Sequence, residues 1–137
     1  MKKKYPIILV VLIVILFGFI LTQYNNLANQ AKQQQESINS EFAVEIARIA
    51  SGIKENEVPS ILSIEHAFKV SALAKHTSFE TSKINYASGL ADTIRHKYLN
   101  NMRITNAEEI KELLIQLSSN PEDRSLADKI TQLIIKE

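Results

Sequence analysis

Residues Ile7 to Leu21 read IILVVLIVILFGFIL, an uninterrupted apolar run directly behind Met1-Lys2-Lys3-Lys4. The uncharged stretch is wider, from Tyr5 to Thr22, and a helix over those eighteen residues reaches about 27 Å at 1.5 Å per residue, close to the hydrocarbon thickness of a bilayer. The run therefore predicts one transmembrane helix. Tyr5 and Tyr24 bracket it at the depths favoured by amphipathic rings, and Lys2, Lys3 and Lys4 lie on one side only. These five residues are the expected membrane-interface set, and the positive-inside bias puts the amino terminus in the cytoplasm and the rest of the chain outside.

A cleaved signal peptide shares the basic start and apolar centre but ends in a small-x-small cleavage site. Here Thr22-Gln23-Tyr24-Asn25-Asn26 follows the run. Cuts after Ala28 or Ala31 would place Asn26 or Asn29 where a small residue is needed. An uncleaved anchor is the expectation. With no cysteine in the chain, a lipid attached to that residue is excluded. Gly18 and Thr22 form one small-xxx-small pair, a pattern that permits two spans to approach closely.

Working outward, residues 1–4 form a cytoplasmic tail, 5–22 the anchor and 23–37 a polar linker. Eight of the fourteen residues from Gln23 to Glu36 are Asn or Gln, and Leu27 and Ala31 keep a helical spacing through them. Residues 38–137 are the expected extracytoplasmic domain. Beyond Thr22 the chain carries thirteen basic and fifteen acidic side chains, without a basic stripe of the kind that follows a phosphate backbone, so nucleic acid is not an expected partner. The absence of cysteine excludes disulfides and thiolate catalysis, leaving stability to packing.

Apolar spacing in this region is helical throughout. Ile38, Phe42, Ile46, Ile49 and Ile53 form one stripe, ended by Gly52 and the polar residues before Pro59. A second helix starting near Ser60 carries Ile61, Ile64, Phe68 and Ala72. Thr77 and Glu80 match a capping box, predicting a long helix with Ile84, Ala87, Ala91, Ile94, Tyr98 and Met102 on one face. Thr105 and Glu108 repeat the box ahead of Ile110, Leu113, Leu114 and Leu117. Asn120 and Pro121 then offer a cap and first-turn proline for a helix with Leu126, Ile130, Leu133 and Ile134. The fold class is all-α, a transmembrane helix followed by a bundle of four or five amphipathic helices.

No motif in this bundle carries chemistry. His66, His76 and His96 lack the spacing of a ligand pair, and no HExxH occurs. Asp92 and His96 share a helix face and suit a surface hydrogen bond. Ser51 and Ser88 precede glycines in helical context rather than on a strand-to-helix elbow. The expectation is a non-enzymatic protein without cofactor or metal. Phe79 and Tyr86, at the edge of the long stripe, are the candidate partner-contact residues if they prove exposed.

One resemblance spans much of the chain. Tyr24-Asn25-Asn26-Leu27 after the anchor, Ile38-Asn39-Ser40-Glu41-Phe42, Val58-Pro59-Ser60-Ile61-Leu62, Leu73-Ala74-Lys75-His76, and Leu113-Leu114 ahead of Pro121 resemble segments of the LemA family of bacterial membrane-anchored helical proteins. The Ala-Trp pair and the Arg-Arg-x-Asp stretch of that family have no counterpart. The resemblance implies an anchored, non-enzymatic bundle and supplies no site residues.

The functional expectation is a protein of the bacterial plasma membrane whose outer helices contact an envelope protein or a second copy of the chain. Two alternatives follow from the same residues. One is a ligand-binding sensor bundle acting on a separate membrane protein, needed because four or five residues inside cannot carry an output domain. The other is an envelope-spanning phage or lysis protein, which would want a longer coiled coil than the breaks at residues 52–59 and 118–121 allow.

Overall fold

The computed structural model describes residues 4–136, with side chains from residue 8 onward. Lys2 and Lys3 lie outside the described residues, as do the side chains of Lys4 and Tyr5. The described chain is all-helical: α1 (Lys4–Ile49) and a 3-10 turn (Ala50–Gly52) lead to α2 (Ile61–Ala74), α3 (Thr81–Ile84), α4 (Tyr86–Leu99), α5 (Ala107–Ser119) and α6 (Arg124–Ile135). Among the described residues the only sheet-like pairing is an antiparallel bridge between Glu57 and Ile104. The chain divides into two units, Met1–Glu36 and Ser37–Glu137.

In the first unit α1 runs without interruption through the apolar stretch and the Asn/Gln-rich stretch. Side chains from Ile8 to Leu21 other than Gly18 are 49–64% exposed, so no side of the helix is covered by the chain. The Thr22 hydroxyl donates to the Gly18 carbonyl at 2.8 Å, which satisfies it within the helix itself.

In the second unit the end of α1 turns from uniformly exposed to one-sided. Phe42, Ile46 and Ile49, with Ile53 beyond the helix, are fully buried. Against them pack Val70 and Ala67 of α2, Leu90, Ala91 and Ile94 of α4, Ile110, Leu114 and Leu117 of α5, and Ile130 and Ile134 of α6. The stripes read from sequence in α5 and α6 are the buried faces.

Three expectations are corrected. In α2, Ile61 and Phe68 are exposed, and the inner face is Ser63, His66, Ala67 and Val70. This helix is apolar on both sides, so spacing alone does not choose between them. In the second, the helix that a Thr77 cap would start at Ser78 starts only at Thr81, as the short α3, and the long helix α4 begins at Tyr86. Thr77 donates to the Ala74 carbonyl at 3.1 Å and closes α2 instead of capping a new helix. A one-residue turn at Asn85 then separates α3 from α4. The helix also stops at Leu99, before Met102: Asn101 takes a left-handed φ of 53°, with Asn101 N donating to Tyr98 O at 3.1 Å and Met102 N to Lys97 O at 2.8 Å. That is a Schellman closure, which asparagine tolerates. The inner face of α4 consequently ends on the stem of Lys97, 3% exposed, while Tyr98 is 40% exposed.

The third correction concerns the caps. Neither Thr105 nor Asn106 caps α5. The amide of Ala107 is instead satisfied by Glu55 Oε2 at 2.8 Å, from the loop after α1. The cap of α6 is Asp123 rather than Asn120, its carboxylate accepting from the amides of Ser125 and Leu126 at 3.1 and 3.3 Å. The Ser125 hydroxyl, and then the Leu126 amide, hold the Asp123 carboxyl below its usual range. Glu122 Oε1 in turn accepts from the amide of Glu80, just before α3, at 2.8 Å.

Gly52 explains the corner between α1 and α2. A Cβ there would lie 2.1 Å from Ser60 Oγ, 2.2 Å from Ser63 Oγ and 2.8 Å from the Ser63 amide nitrogen. Its φ is not positive, so the requirement is close approach and not helix termination. Gly52→Ala is expected to cost about 1–3 kcal/mol through overpacking, and Glu55→Ala about 1 kcal/mol through loss of the α5 cap. Urea unfolding followed by helical circular dichroism reads both; an unchanged midpoint for Gly52→Ala would show that the corner relaxes freely.

Candidate functional site

Within the second unit the most concentrated chemistry is a buried charge cluster between α1 and α2. Glu45 lies beside the Phe42–Ile46–Ile49 stripe, and its side chain is 2% exposed. One carboxylate oxygen is 2.6 Å from His66 Nδ1, and the other accepts from Arg48 at 2.6 Å. His66 faces inward with 11% side-chain exposure, whereas the Arg48 side chain is 56% exposed. Burial pushes the Glu45 carboxyl upward. Hydrogen bonds from His66 and Arg48, with the attraction of His66 and Lys69, outweigh that push and hold it below its ordinary value of 4.5. An ionised carboxylate only accepts, so the hydrogen of this bond is carried by His66 Nδ1.

Ser63 stands one turn before His66 on the same inner face, with its hydroxyl fully buried and without a hydrogen-bond partner. A serine, a histidine and a carboxylate are thus close in the fold, but they do not form a nucleophilic relay. Such a relay needs the hydroxyl bonded to the imidazole and open to substrate. Here the hydroxyl lies against Gly52. The cluster's work is to join α2 to α1 in one register.

Sequence reading passed over Glu45, because an acidic residue beside an apolar stripe also fits a solvated flank. The available signal was Arg48, one turn later, a partner in place for a carboxylate facing inward. His66 was weighed only against the other histidines, and its actual partner is twenty-one positions away.

Of the two candidate partner-contact residues, Tyr86 is buried and Phe79 half-buried. Tyr86 is 7% exposed; its hydroxyl donates to the Pro121 carbonyl at 2.9 Å, and burial pushes the phenol pKa up. The exposure on which its candidacy as a contact residue depended is therefore not met by Tyr86. Phe79 is half-buried with its ring 5.8 Å from Phe42. Tyr24, the one interface residue with a described side chain, is 70% exposed. His96 approaches the Asn100 side chain at 3.2 Å rather than Asp92.

Two surface features remain. A crevice of about 220 Å³ opens between α2 and the α3–α4 corner, lined by Ser71, Lys75, Thr81, Asn85 and Ser88 among others. The outer face of α2 exposes Ile61 by 67%, Leu62 by 42% and Phe68 by 40%, a cluster of large apolar side chains on one helix. No family model, curated protein or solved structure matches this chain.

The Glu45 contribution to stability has a defined sign. Its folded carboxyl ionises at lower pH than the unfolded one, so the unfolded chain binds the additional proton between those values. The contribution is complete above the unfolded value near 4.5 and is lost as pH falls through the folded value. Glu45→Gln is expected to lose about 1–3 kcal/mol at neutral pH and to flatten the acid limb of stability. Denaturant midpoints measured from pH 7 to pH 3 test this; parallel curves for the two proteins would remove Glu45 as the source of the slope.

Proposed function

We propose that the chain is a single-span protein of the bacterial plasma membrane, amino terminus in the cytoplasm, whose extracytoplasmic helical bundle acts by protein–protein interaction and not by catalysis. The observation that carries the reading is the first half of α1. An uncharged helical stretch whose apolar side chains from Ile8 to Leu21 are 49–64% exposed has no counterpart among stable surfaces in water, and a bilayer supplies the missing cover. Three lysines at one end only orient it. The resemblance to LemA proteins implies the same kind of molecule.

The interaction role rests on what the second unit leaves uncovered. Its buried charge cluster is closed to substrate, and its inner faces are occupied by one another. The outer face of α2 presents the apolar side chains that contact surfaces use. The sensor reading draws on the crevice beside Lys75, but about 220 Å³ is below the roughly 300–1,000 Å³ typical of small-molecule pockets. Interaction is the better-supported role.

Protease applied to intact spheroplasts carrying a carboxy-terminal tag is expected to remove the tag. Full protection until lysis would overturn the orientation. Detergent-solubilised protein, captured through the same tag after cross-linking in cells, is expected to bring down another envelope protein or a second copy; recovery of uncross-linked monomer alone would refute the interaction role.

A further inference from the structure

α2 is apolar on opposite sides, and this chain covers one of them. Ala67 and Val70 are buried within, whereas Ile61, Leu62 and Phe68 face outward, with Ala72 exposed one turn beyond. A helix apolar all round is ordinarily covered all round. The uncovered side also carries one acid and one base, Glu65 and Lys69, both exposed. Four residues apart, they have the spacing of an intrahelical pair; neither closes an ion pair among the described residues, although Lys69 also attracts the Glu45 carboxylate at longer range.

We propose that this face is a self-association surface, closed by α2 of a second copy running antiparallel. The proposal deepens the interaction reading above and rests on it. Its ground is the order of residues along the face. In an antiparallel pair with its two-fold axis near Ala67, Glu65 lies opposite Lys69 of the partner subunit, and symmetry repeats that contact. The same register sets Leu62 over Ala72 of the partner subunit, bulk over a small side chain. Phe68 falls beside the axis, where two rings can pack against each other. A parallel pairing in register instead stacks acid on acid and base on base. The face is self-complementary in charge and in bulk, which a surface built for an unrelated protein has no need to be. Anchoring copies in one membrane raises their effective concentration and lowers the affinity the face must supply.

The test uses the purified full chain in detergent, with oligomeric mass read by sedimentation over a concentration series. Wild type is expected to dimerise. Glu65→Lys and Lys69→Glu each place like charges across the axis twice and should weaken the dimer at least about tenfold. The double exchange Glu65→Lys/Lys69→Glu should restore it, which a merely misfolded single variant would not permit. Because the chain has no cysteine, Leu62→Cys/Ala72→Cys provides a direct probe: oxidation should yield a disulfide-linked dimer, with much less from Leu62→Cys alone. A monomeric wild type overturns the proposal, as does a dimer indifferent to both single reversals. If the wild type is monomeric but cross-linking in cells recovers a different envelope protein, the interaction reading stands and only the self-association surface falls. If neither is found, both fall.

Discussion

The arrangement of the second unit depends on the closeness with which α2 meets the end of α1. Gly52 is the point of contact. Without a side chain it lets both Ser60 and Ser63 sit where a Cβ would otherwise be, and the Ser60 amide donates to the Gly52 carbonyl at 2.9 Å. Two turns back along α1, Glu45 reaches His66. One contact sets the separation of the two helices and the other their rotation. Once both hold, Ala67 and Val70 are directed at the core, and Ile61 and Phe68 are directed away from it. The same constraint therefore decides which apolar residues stabilise the domain and which stay available to something else.

Buried charge suits this task better than further apolar contact. An apolar α2 can pack through either side with similar gain, since burial rewards area and not identity. A carboxylate that is 2% exposed tolerates only the orientation that brings it a donor. The Glu45–His66 pair selects one side of α2 by penalising the other. Breaking such a pair by removing one partner is costly because it leaves a buried charge uncompensated. The Ser63 hydroxyl, buried without a hydrogen-bond partner, is the cost at the same corner.

This also accounts for what could be read from the sequence. Stripes in α5 and α6 were legible because those helices are apolar on one side, so spacing alone identifies Ile110, Leu114, Ile130 and Ile134 as core. The same method misread α2, where two stripes compete and the deciding contact comes from α1. Helix caps were illegible for a related reason. A local signature such as Thr105 with Glu108 assumes that a helix end is served by its own neighbours, whereas the amide at the start of α5 is served by Glu55. Asn101 was missed because it lies inside a run whose apolar spacing continues through it. Whether Tyr86 faced in or out was left open, because the single-residue turn at Asn85 is too small an interruption to leave a mark in the periodicity. Nothing in the local pattern marked Glu45 as inward-facing except Arg48 one turn away.

The borrowed caps have a consequence for the order in which the domain is made. Glu55 is synthesised early, and the amide it satisfies belongs to Ala107. Glu80 and Tyr86 wait in the same way for the carboxylate of Glu122 and the carbonyl of Pro121. Each of these bonds joins an early piece of chain to a late one, so no amino-terminal portion can complete its own polar contacts while the remainder is still being made. The contacts that close the domain therefore join positions 35 to 52 residues apart, and non-local closure of this kind slows folding relative to a bundle held by neighbouring contacts alone.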